Sequence, residues 1–194
     1  MEAVESDDEL MQRLQGGEDM ALNALMNRWQ QPVVGFIRRY VGNEADALDL
    51  AQETFVRVYE SRHRYRRAGK FSTWLFTIAG NLCRNLSRWR SRHPAETMDG
   101  GEKEGDSMPL SETLAAPGDS PSASADRNEL AAAVRENIQA LPHDLRITVL
   151  LFEYEDLSYE EIAGVLGCSA KAVETRLYRA RTILREKLVK WQVR

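Results

Sequence analysis

The segment from Leu157 to Leu188 constrains the fold of this chain most strongly, because it carries start, stop and packing signals for two short helices. Ser158 followed by Glu161 forms a capping box, which satisfies free backbone donors at a helix start. Gly167 supplies a left-handed residue to end that helix, and Ser169 can cap the next one. The spacing therefore predicts two helices joined by a tight turn.

Apolar and polar residues of the second of these helices separate onto opposite sides. At about 100° per residue, one side collects the apolar residues Val173, Leu177, Ala180, Leu184 and Leu188. The other side collects polar and basic residues: Lys171, Thr175, Tyr178, Arg179 and Thr182. The first helix carries a shorter apolar stripe: Ile162, Ala163 and Leu166. This pattern is typical of a DNA-binding helix-turn-helix, and an ordinary helix pair with a solvated charged face is the alternative.

Basic residues are concentrated in two blocks of an otherwise acidic chain. The 194 residues carry 26 Lys and Arg against 30 Asp and Glu, a formal net charge of −4. Residues 57–92 hold 10 basic groups and 1 acidic group, and residues 171–194 hold 8 and 2. Because local positive charge attracts phosphate, both blocks are expected to meet nucleic acid.

Several classes of protein are disfavoured by the sequence. No apolar run approaches the about 18 residues of a membrane helix, and the acidic start is unlike a signal peptide, so we expect no membrane insertion. Two distant cysteines, Cys83 and Cys168, are typical of a reducing cytoplasm. The histidines His63, His93 and His143 share no metal-ligand spacing, and we interpret each as a surface residue. With no nucleophile motif or phosphate loop, we expect no enzyme and no cofactor.

The N-terminal part, Asp7 to Tyr65, is predicted to be helical, with Pro32 starting or kinking a helix. The helix from Glu44 to about Ser61 is the most informative. Its predicted inner side is apolar: Leu48, Ala51, Phe55, Val58 and Tyr59. Its predicted outer side is acidic with one leucine: Asp46, Asp49, Leu50 and Glu53. From periodicity alone, this side is equally a solvated face or a docking surface for a basic helix.

Arginines and aromatic residues alternate through the first basic block, Arg57 to Arg92. Ser72 is expected to cap a long helix from Thr73 to about Arg92. Charges that follow phosphates, together with aromatic faces on which bases stack, favour a path for single-stranded nucleic acid. A purely structural use of these aromatic residues is the weaker interpretation, because acids are nearly absent from the block.

A change of composition divides the chain. Residues 94–127 are rich in Gly, Pro, Ser, Ala and acids, which predicts a flexible acidic linker. After it, a helix is expected from Asn128 to Ala140, with Leu130, Val134 and Ile138 inward. The predicted architecture is all-α, with two small helical domains at residues 1–93 and 128–194. The second domain contains the helix-turn-helix.

Three motifs in this order resemble the bacterial RNA polymerase sigma factors, specifically the extracytoplasmic-function (ECF) group. Residues 46–59, Asp-Ala-Leu-Asp-Leu-Ala-Gln-Glu-Thr-Phe-Val-Arg-Val-Tyr, resemble the segment that grips the clamp coiled coil of the polymerase's largest subunit. Residues 71–85 resemble the promoter-melting and −10 segment. The helix-turn-helix, with Leu141-Pro142 before it, resembles the −35 reader. The resemblance covers nearly the whole chain.

The resemblance implies roles for named residues. The residues facing core polymerase would be Asp46, Asp49, Leu50, Gln52 and Glu53. Those around the −10 DNA, including a flipped base, would be Tyr65, Lys70, Trp74, Asn81, Arg84, Asn85 and Arg88. Those at the −35 DNA would be Ser169, Lys171, Thr175, Arg176, Tyr178 and Arg179. Arg179 is the best candidate to bind a guanine edge.

The resemblance also implies partners and a function. Core RNA polymerase would be contacted through its clamp coiled coil and its flap region, and promoter DNA would be read at −35 and melted at −10. An anti-sigma factor is a further implied partner. The alternative is a free-standing helix-turn-helix regulator, in which residues 1–93 would sense a signal or dimerise. Glu174 departs from the basic or neutral residue of many relatives, and the long linker departs from compact members. The promoter and the inducing signal do not follow from the sequence.

Overall fold

The computed structural model describes residues 5–67, 69–93 and 121–189, in which every regular element is helical. The first group contains four α-helices and one 3-10 turn: α1 (Asp7–Gln15), α2 (Met20–Val41), α3 (Glu44–Glu60), the 3-10 turn (Arg62–Arg64) and α4 (Phe71–Arg92). The second group contains four: α5 (Pro121–Gln139), α6 (His143–Glu153), α7 (Tyr159–Leu166) and α8 (Ala170–Lys187). The all-α prediction is confirmed.

Side-chain caps start several of these helices where the sequence signals lie. The Ser6 side chain accepts from the Glu9 backbone N–H and the Glu9 side chain returns to the Ser6 backbone, a capping box that starts α1. Gly42 ends α2 in the left-handed conformation, at φ 75°. The Asn43 side chain then accepts from the Asp46 N–H at 2.9 Å and starts α3.

Two helix boundaries differ from the sequence predictions. Pro32 lies inside α2 and starts no new helix. An interior proline costs about 3 kcal/mol, and here the flanking part of α2 is held by buried Val33 and Phe36. Helix α4 begins at Phe71 with Lys70 as its N-cap, so Ser72 is not a cap. Phe71 is buried in an aromatic cluster, which holds the chain helical from that position.

The second group also begins earlier than expected. Helix α5 starts at Pro121, inside the predicted linker of residues 94–127. Of its predicted inward residues, Ile138 is buried, Val134 is partly buried, and Leu130 is 37% exposed. The expectation for Leu130 is therefore wrong. Leu130 lies in the part of α5 that precedes the turns packed against the core.

Helix α4, the last helix of the first group, is also the helix on which the second group packs. It packs on α2 and α3 on one side and on α6 and α7 on the other. Phe36 and Phe76 meet edge to face with ring centroids 5.2 Å apart in the first group. The buried side chains of both groups form one continuous hydrophobic cluster. The position of α4 decides what each predicted site residue can reach.

Candidate nucleic-acid and polymerase interfaces

The predicted helix-turn-helix is present as α7, a tight turn and α8. The Ser158 backbone N–H donates to Glu161 Oε2 at 2.8 Å, which completes the capping box of α7. Gly167 ends α7 with φ 61°, in the left-handed region. Ser169 Oγ accepts from the Ala172 N–H at 3.2 Å and starts α8. Both helices therefore begin, and α7 also ends, where the sequence signals lie.

The two faces of α8 separate as predicted. Val173, Leu177 and Ala180 are buried, so this face anchors the helix. The residues expected to contact −35 DNA on the outer face are exposed: Ser169, Lys171, Thr175, Tyr178 and Arg179. Tyr178 is 73% exposed, which is unusual for a large aromatic side chain without a partner surface. In α7 the sequence pattern missed Val165, which is buried, while Ala163 and Leu166 are only partly so.

Three charged residues of α8 have contacts that limit their freedom. Lys171 Nζ lies 2.7 Å from Glu174 Oε2. Glu174, the acidic residue at a position where many relatives are basic or neutral, therefore neutralises a neighbour on its own helix. Arg176 is partly buried, with Nη2 3.6 Å from Asp144 Oδ2. Arg181 Nη2 lies 2.9 Å from Glu153 Oε1. The exposed reading face is thus centred on Thr175, Tyr178 and Arg179.

Helix α4 exposes only part of the predicted −10 set. Asn81, Asn85 and Arg88 are exposed and lie on one side of the helix, at spacings of four and three residues. Trp74, two turns earlier on the same side, is partly buried. These four residues form a stripe that an extended strand can follow.

Tyr65 is a buried residue and not a surface one. It is only 6% exposed, and its hydroxyl donates to the Asp8 carboxylate. Its ring lies 5.1 Å from that of Trp74, edge to face. The sequence pattern missed this burial because the partner comes from α1, distant in the chain. Tyr65 is therefore placed to support Trp74.

Lys70 and Arg84 are held by the second helix group. Lys70 Nζ lies 2.7 Å from Glu161 Oε1 of α7. Arg84 Nε donates to His143 Nε2 at 2.8 Å, and His143 Nδ1 is hydrogen-bonded to the Tyr40 hydroxyl. Burial and the nearby Arg84 guanidinium lower the pKa of His143 to about 4. The expectation that every histidine is a surface residue is therefore wrong for His143.

The acidic side of α3 differs from the prediction in its leucine. Leu50 is partly buried against the core, whereas Leu48 is 43% exposed. The inner face is centred on Ala47, Ala51 and Thr54, which rotates the helix relative to the predicted apolar set. The sequence pattern did not register Ala47 and Thr54 as core residues, because neither is strongly apolar.

Two acids on α3 are paired and two polar residues are open. Asp46 bonds Arg90 of α4, and Glu53 Oε1 accepts from Arg57 Nε at 2.7 Å. Asp49 and Gln52 are exposed. Exposed Leu48 and Val56 flank Gln52 at four-residue spacing along the helix. The exposed surface of α3 is thus an apolar stripe with the carboxylate of Asp49 at its edge.

No metal or membrane element was found in the part of the chain that the structure describes. Residues 5–67, 69–93 and 121–189 contain no group of three His, Cys, Asp or Glu that can hold a metal ion. Within the same ranges, no helix combines the length and apolar character needed to span a bilayer. Burial raises the pKa of the Cys83 thiol to about 12, so this thiol is a poor nucleophile.

Comparison with known proteins decides the family. Residues 25–93 match the Sigma-70 region 2 family and residues 131–184 match the Sigma-70 region 4 family. The RNA polymerase sigma-H factor of Pseudomonas aeruginosa is 36% identical over 181 residues, covering 91% of each chain. The ECF RNA polymerase sigma-E factor of Haemophilus influenzae is 34% identical over 193 residues, covering 94% of this chain and 95% of that one. The chain belongs to the ECF sigma factors.

Solved structures agree with this placement of the sigma factor. CnrH, solved in complex with the cytosolic domain of CnrY, superposes with a TM-score of 0.70 at 26% identity, covering 96% of this chain and 99% of that one. The sigma factor RpoE from Bartonella quintana, in complex with the anti-sigma factor NepR, shares the fold with a TM-score of 0.63 at 21% identity. The sigma factor directs promoter-specific transcription initiation, and the alternative of a free-standing regulator is set aside.

Proposed function

We propose that this sigma factor reads −35 duplex with α8, holds the melted −10 strand on α4, and docks on core RNA polymerase through α3. The observation that carries the proposal is the exposed polar and basic face of α8, whose opposite face is anchored in the core. A helix held in this way can enter a major groove without losing its packing.

At the −35 element, Arg179 donates two guanidinium N–H groups, one from each of two nitrogens, to O6 and N7 of a guanine. Lys171, Thr175 and Tyr178 line the same groove, and bidentate contacts of the Arg179 kind contribute about 1–3 kcal/mol of discrimination between bases. Ser169 and Arg176, at the start and on the flank of α8, contact phosphates. Such contacts position the helix without specifying sequence.

At the −10 element, the stripe of Trp74, Asn81, Asn85 and Arg88 follows the melted strand. The two asparagine amides bind base edges, and Arg88 contacts phosphate, as do Arg84 and Lys70 when they leave their partners in the second helix group. Flipping a base costs a few kcal/mol, which these contacts offset. Tyr65 does not contact DNA and instead holds the Trp74 ring in position through their edge-to-face contact.

Core polymerase is bound by the open surface of α3. Asp49 and Gln52 meet the clamp coiled coil of the largest subunit, Asp46 and Glu53 supply flanking charge, and Leu48 replaces Leu50 as the apolar anchor. The double variant Asp49→Lys with Glu53→Lys should lose co-purification with core polymerase while keeping its helical circular dichroism. A matched Glu44→Lys with Glu60→Lys variant, exposed on the same helix, should retain most binding.

The domain limits that we propose are residues 1–93 for region 2, residues 94–127 for the linker, of which residues 121–127 already form the start of α5, and residues 128–194 for region 4. The sigma factor acts in the cytoplasm without catalysis of its own. Its second polymerase contact is the flap region, through region 4. A regulating anti-sigma factor is a further proposed partner, since the sigma factor RpoE of Bartonella quintana, which has the same fold, was solved in complex with the anti-sigma factor NepR.

Run-off transcription tests the proposal directly. Purified protein is added to sigma-free core polymerase on sheared genomic DNA of the source organism, and the 5′ ends of transcripts are mapped. The expected result is a small set of start sites that share two upstream elements. Absence of any start site beyond those of core polymerase alone would refute the proposed function.

A further inference from the structure

A cleft of about 650 Å³ lies beside α2, with the first turns of α3 and the loop between α6 and α7 as its other walls. Three charged residues line it: Arg38, Arg39 and Glu155. Its volume falls within the range of about 300–1,000 Å³ that is typical of small-molecule sites. None of its lining residues belongs to the proposed −10 or −35 sets, so promoter contacts do not account for the two arginines.

Arg38 lines the cleft without a protein partner for its charge. Its Nε atom is buried and has no hydrogen-bond partner among the residues that the structure describes. Within the same residues, its guanidinium group forms no ion pair with a carboxylate. Polar groups that lose water are normally hydrogen-bonded, and an unmade bond costs free energy. The positive charge of Arg38 is therefore left for an occupant of the cleft to neutralise.

The Arg39 guanidinium group is held in position by its neighbours. Its Cζ lies 4.4 Å from the centroid of the Tyr154 ring, and its Nη1 lies 3.0 Å from the position of a Cβ at Gly35. A cation over an aromatic face is attracted to the ring without using an N–H group as a hydrogen-bond donor. Its ion pair with Glu155 is long, at 3.9 Å between Nη1 and Oε1, beyond hydrogen-bond distance. Arg39 is therefore oriented and retains donors for an occupant.

The Glu155 carboxyl contributes little negative charge to the cleft. Its side chain is only 7% exposed, and burial raises its pKa to about 7 from 4.5. Arg39 opposes this shift, and Asp156 adds to it. Near neutral pH the carboxyl is therefore uncharged in a large fraction of molecules, and the two arginines leave the cleft with a net positive charge.

The two arginines favour a phosphate over a carboxylate as the anion. Arg38 and Arg39 are consecutive in α2, so their side chains leave the helix about 100° apart and approach the contents of the cleft from different directions. A carboxylate has two oxygens, which one guanidinium fork occupies. A terminal phosphate has three oxygens and can accept from both forks.

The remaining lining fits an organic group attached to the phosphate. The exposed amides of Gln30 and Gln31 each offer donors and an acceptor, which suit base edges and sugar hydroxyls. Exposed Leu48 and partly buried Val34 supply apolar surface for a ring. Gly35 adds no side chain to the cleft, which keeps this volume open.

We infer that this cleft is a binding site for an organic phosphate of nucleotide size. Arg38 and Arg39 hold its phosphate, the two glutamine amides bind its polar edge, and Leu48 and Val34 pack against its ring. Of these residues, Leu48 alone is shared with the surface proposed for core polymerase. The inference therefore goes beyond the proposed function and does not depend on it.

Isothermal titration calorimetry on the full chain tests the inference, with ADP, GDP and CDP as the probes. At least one of them should bind as a single molecule per chain, and the matching nucleoside, which lacks phosphate, should bind weaker by about tenfold or more. Inorganic phosphate should compete with the bound nucleotide. If none of the three nucleotides binds at about 1 mM, the inference is overturned.

Two variants locate the binding. Arg38→Gln should weaken it by about tenfold or more, because one charged fork is lost from the phosphate. Gly35→Leu keeps both arginines and favours the helix, and within 4 Å its Cβ meets only the end of the flexible Arg39 side chain. This variant should fill the cleft and abolish binding, and it keeps the test valid if Arg38→Gln unfolds.

Two controls change exposed positions outside the cleft. Arg66→Gln removes an equal charge, and Gly69→Leu adds an equal side chain where nothing lies within 4 Å of the Cβ position. Both should bind the nucleotide as wild type does. Wild-type affinity in both cleft variants would place the binding elsewhere and would overturn the inference.

A labelled single-stranded oligonucleotide distinguishes the other source of phosphate, which is nucleic acid. Its affinity, measured by fluorescence anisotropy, should be equal for wild type and Gly35→Leu, because the cleft holds one small ligand. Loss of oligonucleotide affinity in Gly35→Leu, in parallel with loss of nucleotide binding, would make the cleft part of a nucleic-acid path. That outcome would overturn the inference.

Discussion

His143 and Glu155 are two partly buried titratable residues with opposite effects on the packing of the two helix groups, which are packed together in the closed form and apart in the open form. His143 has a pKa of about 4 in the closed form, below its ordinary 6.5, and it faces Arg84, Arg88, Arg146, Asp144 and the Tyr40 hydroxyl. Between these values the open form binds more protons, so falling pH favours opening. Burial raises the pKa of Glu155 to about 7 from 4.5, and it faces Arg39 and Asp156. Between these values the closed form binds more protons, so falling pH favours closure.

The first prediction follows from these opposed signs. Glu155→Gln should leave the His143 effect, so that closure weakens as pH falls from 6.5 towards 5. His143→Gln should leave the Glu155 effect, so that closure strengthens as pH falls from 7 towards 5. The measurement is energy transfer between dyes on the two helix groups at fixed ionic strength. The same pH trend in both variants would contradict the assignment.

The second prediction concerns Arg179. Arg179→Ala should weaken binding to the cognate −35 duplex by about 1–3 kcal/mol and relax base preference at one position. Arg185→Ala, an exposed arginine further along α8, should lower affinity for all sequences alike, as a phosphate contact does. The measurement is a fluorescence-anisotropy titration at one salt concentration. Equal affinity of Arg179→Ala and wild type would remove Arg179 from the reading face.

Sequence alone predicted exposure well where it depends on local periodicity. The outer face of α8 follows from the 3.6-residue repeat, because one buried face fixes the other. The sequence did not predict burial that depends on a partner distant in the chain. Examples are Tyr65 with Asp8, and His143 with Tyr40 and Arg84. The sequence pattern also failed at Leu48 and Leu50, where Ala47 and Thr54 define the inner face. Small residues such as Ala47 and hydroxyl residues such as Thr54 are not strongly apolar, so a hydrophobic pattern does not reveal that they are buried.

At the scale of elements, the turn between α7 and α8 depends on backbone conformation at one residue. Gly167 has φ 61° and nothing within 4 Å of its Cβ position, so a side chain there meets no steric obstacle beyond its own backbone. The third prediction is that Gly167→Ala destabilises the protein by about 1–2 kcal/mol, the cost of a left-handed L-residue. Urea denaturation followed by circular dichroism measures the change.

Gly69→Ala is the matched control, because its Cβ position is equally open and its φ lies outside the left-handed range. This variant should be neutral, or stabilised by less than about 1 kcal/mol through reduced freedom of the unfolded chain. If both variants unfold at the same urea concentration, the turn does not depend on glycine at position 167.

Helix starts were the most predictable features of the elements, since Ser158 and Ser169 both cap as their spacing indicates. Helix α4 was less predictable, because packing of Phe71 with Tyr65 and Trp74 overrides the cap signal of Ser72. The contacts of α4 with α6 and α7 were not predictable at all. They depend on Gly80, which meets Ile147 of α6, and on Gly164 of α7, which meets Thr73, and both fits require the three-dimensional arrangement.

At the scale of the whole molecule, two helix groups share one core in the closed form and must part to hold a promoter. Dyes at Ser91 of α4 and Glu160 of α7, both exposed, report the separation in a Cys168→Ser background. In the closed form their distance is at most about 40 Å, because α4 starts beside Glu161 and rises about 1.5 Å per residue to Ser91. In an initiating complex it should be on the order of 85 Å.

Single-molecule energy transfer between these two dyes tests whether one chain opens to hold two promoter elements. It is measured first in the free protein and then with core polymerase and a mapped promoter. High transfer is expected in the free protein, and low transfer is expected in every complex that yields transcript. High transfer that persists in transcribing complexes would contradict this expectation.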